Sequence, residues 1–119
     1  MSSSPRTLPA IGSSLLRTDA SAPAGADWMF MHAGASHGYH PCFSERLLHE
    51  IKRCQEAIRS RVAADSDPRA GVHHLVLASD APVFNLGGDL ALFSRLIRAG
   101  ERGRLLDYAR LCVEVAYNF

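Results

Sequence analysis

With 119 residues, 47% of them hydrophobic, the chain has material for one modest core and belongs with folded globular domains rather than disordered segments. Thirteen Lys and Arg against twelve Asp and Glu leave a formal charge of +1. No strong field therefore points to nucleic acid or to an anionic membrane surface as a partner.

The opening Met1-Ser2-Ser3-Ser4-Pro5 lacks the basic-then-apolar form of a secretory leader, and no run of about 20 apolar residues offers a spanning helix. Cys42, Cys54 and Cys112 are odd in number and widely spaced, which suits neither a disulfide framework nor the close pairs of a structural zinc site. A soluble protein of the reducing cytoplasm is expected, with no membrane partner.

Residues 1–13 are rich in Ser and Pro without period and read as a flexible arm; order is expected over 14–119. Leu15-Leu16-Arg17-Thr18 suggests a short strand. After the Ala/Pro/Gly stretch from Ser21 to Ala26, the dense apolar run Trp28-Met29-Phe30-Met31-His32 suggests a second, making a hairpin with Trp28 and Phe30 in the core. Gly34 to His40 reads as a loop. His32, His37 and His40 lie close in sequence, but without helical spacing or a carboxylate to fix them they read as exposed loop histidines, and no metal is expected.

Ser44 can cap a helix in which Leu47, Leu48, Ile51, Cys54, Ile58 and Val62 form one apolar stripe; Asp65-Ser66-Asp67-Pro68 stops it. Cys42 precedes the start of this helix, where a thiol pKa can fall, but no base motif accompanies it and it reads as an inert small side chain. His74-Leu75-Val76-Leu77-Ala78 has the near-continuous apolar character of a strand buried on both faces, and strand, helix and strand predict a right-handed crossover. Of His73 and His74, one is expected to face solvent and the other to be hydrogen-bonded at the rim.

The segment Ser79-Asp80-Ala81-Pro82-Val83-Phe84-Asn85-Leu86-Gly87-Gly88-Asp89-Leu90 places two glycines between a strand and a new helix, with Asp89 as its cap. Glycines there let the backbone turn sharply and approach a ligand. Unpaired N–H groups at such a junction are donors for a carbonyl oxygen that gathers negative charge. A Gly pair before a cap also occurs simply to turn a chain. In the last helix Leu105, Leu106, Ala109, Cys112, Val113 and Ala116 are read as the apolar stripe, leaving Glu101, Asp107 and Glu114 in solvent.

Phe84-Asn85-Leu86-Gly87-Gly88-Asp89 resembles the Phe-x-x-Gly-x-Asp signature of the crotonase (enoyl-CoA hydratase/isomerase) superfamily. Pro41-Cys42-Phe43-Ser44 is similar to that family's short acyl-CoA contact motif. The run from Val76 to Leu106 is most like diffusible signal factor synthases, and the likeness extends from about Ser14 onward. The resemblance implies an α/β, partial crotonase/ClpP-type fold of repeated β-β-α units, about one and a half of them, truncated before the second half. It implies that the Gly88 N–H is one arm of an oxyanion hole, with Cys42, Phe43, Leu86 and Gly87 along the acyl-carrier path, and that Asp89 is structural.

The activity it implies is dehydration of a 3-hydroxyacyl thioester and thioester cleavage, releasing a cis-2-unsaturated fatty acid that serves as a quorum-sensing signal. The substrate would ride on acyl carrier protein or coenzyme A, with no separate cofactor, in a trimeric or hexameric homo-oligomer. The family's second oxyanion glycine and its two glutamates are expected downstream of these residues, and the last helix reaches Phe119 with no later strand to pack on. An isolated segment of this kind is expected to be marginally stable or oligomeric. Two other classes stay open: a non-catalytic remnant that binds acyl carriers or partners, and a generic α/β interaction domain.

Overall fold

A computed structural model describes residues 14–19, 25–65 and 73–119. The arm over 1–13, most of the Ser21 to Ala26 stretch and Pro68 lie outside the described residues. The described residues form a mixed α/β arrangement of three strands and three helices. Its elements run β1 (Leu16–Asp19), β2 (Ala26–Met31), α1 (Glu45–Ala64), β3 (His74–Ser79), α2 (Leu90–Arg98) and α3 (Arg102–Tyr117).

The sheet order is β1-β2-β3. β1 pairs antiparallel with β2, with Leu16 opposite Met31 and Asp19 opposite Trp28, which is the expected hairpin. β2 pairs parallel with β3, with Trp28 beside Val76 and Phe30 beside Ala78. Parallel neighbours need a crossover, and α1 supplies it.

Side chains alternate across a strand. In β2 this buries Asp27, Met29 and Met31 and leaves Trp28 and Phe30 half-buried on the opposite face. Trp28 and Phe30 are therefore not core residues as expected; they stack at 5.9 Å between ring centroids, with the Arg17 guanidinium 4.0 Å above the Phe30 ring. The expectation for β3 also needs correction. No residue of β3 is fully buried, because it lies at the sheet edge and only its Leu75 and Leu77 side reaches the core.

Ser44 caps α1 as its residue type requires, its Oγ accepting the Leu47 N–H at 3.2 Å. Glu50 ties the helix to β1 by accepting from Leu15 N and Ser14 Oγ, both at 2.8 Å. Leu47, Leu48 and Ile51 are buried against the sheet, and each such side chain contributes roughly 1.5–3 kcal/mol relative to exposure. The stripe then rotates away from the position expected for it. Gln55 is buried, with its Nε2 donating to the Val115 carbonyl at 2.9 Å, whereas Val62 is exposed.

The core joins Leu16, Met29 and Met31 of the sheet to Leu47 and Ile51 of α1, Leu92 and Leu96 of α2, and Tyr108, Leu111 and Val115 of α3. In α3 the buried face is displaced by about one residue from the predicted stripe, because the larger Tyr108, Leu111 and Val115 turn inward; Val113 is 68% exposed. His32 overturns the loop-histidine reading: it is 1% exposed, while His37 and His40 are exposed. His73 bonds Asp27 at 2.5 Å and His74 faces solvent, as the strand start suggested.

Candidate functional site

The candidate site is the stretch between β3 and α2, and its shape follows from a short series of hydrogen bonds. Ser79 begins it: its Oγ accepts from Ala81 N at 3.0 Å and donates to the Val83 carbonyl at 2.7 Å, curling the chain back at the strand end. Asp80 is held by Arg17 through two contacts, at 2.8 and 2.9 Å. That pairing holds the Asp80 carboxyl below the ordinary carboxylate range, mainly through the hydrogen bond to the guanidinium.

The returning chain then lies against the segment before α1. Leu86 N donates to the Pro41 carbonyl and Phe43 N donates to the Gly87 carbonyl, both at 2.8 Å, and Phe43 and Gly88 form a one-residue parallel bridge. Gly87 takes φ +102°, a conformation that side chains with a Cβ rarely adopt, and its N–H is held by Asn85 Oδ1 at 2.7 Å. Asp89 N donates to the Tyr108 hydroxyl at 3.0 Å, and Asp89 Oδ1 caps α2 by accepting from Leu92 N at 3.1 Å.

The amides of Leu86, Gly87 and Asp89 are thus all engaged, and the Gly88 N–H has no hydrogen-bond partner among the described residues. In this parallel bridge Phe43 bonds through its own N–H to the Gly87 carbonyl, so Gly88 is the residue spanned by its flanking groups and its own N–H and C=O point to the opposite edge. Gly88 is half-buried at the start of α2, where the helix dipole adds partial positive charge. An open amide in this position can donate to an oxygen that gathers charge. A Cβ on Gly88 would lie 3.3 Å from Phe93 Cε2, so the glycine also serves close packing of the turn on α2.

The other residues singled out in the sequence are gathered around this turn with unequal exposure. Cys42 is buried, and burial pushes its thiol up, so it stays protonated. Its main chain is engaged as well, N–H to the His40 carbonyl at 2.8 Å and carbonyl to Ser44 N at 3.0 Å. Phe43 is half-buried, with its N–H on Gly87 and its carbonyl accepting from Tyr108. Leu86 is 55% exposed and borders a cavity of about 750 Å³, together with Pro41, His32, Tyr39 and Val83. Gly88 is not among the residues lining that cavity.

Carboxylates are scarce at the turn. Asp89 is committed to its cap, and Glu101, Asp107 and Glu114 are exposed, Glu114 pairing with Lys52 at 3.2 Å. Among the described residues no three His, Cys, Asp or Glu side chains come together in a way that could hold a metal ion. No described helix is long and apolar enough to cross a membrane.

Two residues that organise the site were missed in the sequence. Tyr108 reaches from α3 to bridge Phe43 and Asp89, and Asn85 holds Gly87 while also contacting His32. The signal for Tyr108 was its size: a series through Leu105, Tyr108, Leu111, Cys112 and Val115 has helical spacing too and carries the larger side chains. Asn85 carried a weaker one, an Asx residue two places before a Gly in a turn.

No protein-family model matches the chain, and no curated protein matches it.

Proposed function

We propose that the chain forms the N-terminal portion of a crotonase-type acyl-thioester enzyme of the diffusible signal factor synthase kind. The carrying observation is the Gly88 N–H, left without a partner among the described residues in a turn whose neighbouring amides are all engaged. The order of the elements, a hairpin followed by a crossover helix, a third strand and a glycine turn into α2, supports the same reading.

In this reading the Gly88 N–H donates to the thioester carbonyl oxygen. A base removes the α-proton, the electron pair moves onto that oxygen as an enolate, and its return expels the 3-hydroxyl, which takes a proton from an acid and leaves as water. Hydrolysis of the thioester then releases the cis-2-unsaturated acid. One amide aimed at the developing oxyanion is worth roughly 3–4 kcal/mol of barrier. The base and acid are not supplied by Glu101, Asp107 or Glu114, which are solvent-exposed. Acyl carrier protein or coenzyme A carries the substrate, and three unbridged cysteines favour a cytoplasmic setting. Trimeric or hexameric assembly is supported by the exposed Ile97, Val113 and Tyr117.

A second reading is favoured by the lack of an uncommitted carboxylate at the turn among the described residues: the chain binds acyl thioesters without turning them over. Both readings require the Gly88 amide to meet a thioester carbonyl. Titration of the ¹⁵N-labelled protein with dodecanoyl-CoA should shift the Gly88 amide resonance downfield and saturably, while free coenzyme A leaves it in place. A Gly88 resonance indifferent to dodecanoyl-CoA would remove the basis of both.

A further inference from the structure

His32 follows β2 directly and takes φ +63°, the left-handed region that a residue with a side chain enters at a cost. It is also almost completely buried, and borders the cavity beside the turn. A strained, buried, titratable ring beside a cavity calls for a physical reason, and its hydrogen bonds supply one.

The Gly87 N–H can only donate, so the atom of Asn85 it meets at 2.7 Å is the carbonyl Oδ1. That fixes the amide orientation and places Asn85 Nδ2, a donor, 3.1 Å from His32 Nε2. Facing that donor, Nε2 is assigned as the accepting nitrogen and the ring proton to Nδ1, 2.9 Å from the Tyr39 hydroxyl, although the Phe84 backbone also offers the ring an acceptor. Tyr39 Oη receives that proton as an acceptor, and its own hydrogen has no acceptor among the described residues. Burial pushes the His32 ring down and the Tyr39 phenol up, so both hold the neutral forms this chain of bonds requires.

We propose that the cavity of about 750 Å³ bounded by Tyr39, Pro41, Val83 and Leu86 is a binding site for a small ligand carrying a carbonyl or carboxylate oxygen on an apolar chain. The oxygen accepts from the Tyr39 hydroxyl, and the chain lies on the partly exposed Val83 and Leu86 side chains. The relay from Gly87 through Asn85 and His32 aims that donor, and the positive φ of His32 is the backbone strain that turns the ring into line. This site does not rest on the reading of Gly88, which does not border the cavity.

The test is NMR on the whole chain with ¹⁵N-labelled histidine and backbone, titrated with hexanoate, N-methylhexanamide and, as a donor-only control, hexylamine. His32 is expected to show the Nδ1-protonated tautomer. Hexanoate should shift the His32 ring and the Gly87 amide saturably, and Tyr39→Phe should weaken it roughly 3- to 10-fold. Binding of the amide as well supports a site for carbonyl oxygen in general; binding of hexanoate alone supports one for carboxylates. An Nε2-protonated His32 would overturn the relay even if Tyr39→Phe does not fold. Equal binding of hexylamine, no saturable shift, or a folded Tyr39→Phe that binds like the parent would overturn the site. Throughout, the Gly88 resonance should stay in place, which separates this outcome from the thioester test.

Discussion

The Tyr108 hydroxyl donates to the Phe43 carbonyl, joining the middle of α3 to the residue that precedes the α1 cap. The same oxygen accepts the Asp89 N–H at 3.0 Å, so one phenol holds together the two backbone segments that meet at the glycine turn. Tyr108 is buried, and burial holds its pKa well above that of a free phenol, so the bridge stays protonated.

Tyr108→Phe keeps the ring and its edge contact with Phe93, 5.2 Å between centroids, but removes both hydrogen bonds. It should lower stability by about 1–3 kcal/mol, the cost of leaving partly buried backbone groups unpaired. Urea unfolding measures this. The Asp89 amide should also exchange faster with solvent, whereas loss of ring packing alone would leave it slow.

The two glycines of the turn should respond differently to alanine. Gly87→Ala forces a Cβ into φ +102° with open space around it and should cost roughly 1–2 kcal/mol through backbone strain. Gly88→Ala retains the N–H and has only to displace the Phe93 ring edge, 3.3 Å away, by a few tenths of an ångström. Thermal melts of the two variants should therefore rank Gly88→Ala as the more stable. The reverse order would mean that packing against Phe93 controls the turn.

How far these features could be read from the sequence depended on whether their causes were local. The caps at Ser44 and Asp89 were legible because an N-cap is a property of one side chain and the first turn after it. The hairpin and the parallel β2 and β3 were legible from apolar runs separated by a helical period. The buried face of α3 was not, since two stripes one residue apart both satisfy the helical period and only packing against α1 and α2 selects Tyr108, Leu111 and Val115. Burial of His32 depends on Tyr39 and Asn85, the latter 53 positions along the chain, and no local pattern records that meeting. At the turn, the glycines were visible, but which amide stays open is decided by Pro41, Phe43 and Tyr108.

Stability should fall in two stages on acidification. Burial lowers the His32 pKa from 6.5, with a smaller opposing contribution from the Phe84 backbone, so the unfolded chain binds a proton there before the folded one does. The stabilisation is complete above about pH 6.5 and is lost as pH falls through the lower folded value. His32→Asn, which tolerates a positive φ, should flatten the urea midpoint between pH 7 and 5. A midpoint that falls as steeply in the variant would assign the effect to another group.

The second stage belongs to Asp27. Burial raises its pKa, but the hydrogen bonds from His73 and Arg61 more than offset this and hold it below 3.8. Its contribution is present above that value and disappears as pH falls through the folded pKa. Asp27→Asn should remove stability at pH 7 and leave little further loss attributable to this site below pH 4, read from urea midpoints across that range.

Amide hydrogen exchange of the ligand-free protein bears most directly on the claim that the turn presents one uncommitted donor. The Leu86, Gly87 and Asp89 amides should be protected, with Gly88 exchanging faster than all three. A Gly88 amide protected as strongly as those neighbours would show that its N–H is already engaged, and the oxyanion reading would lose its donor.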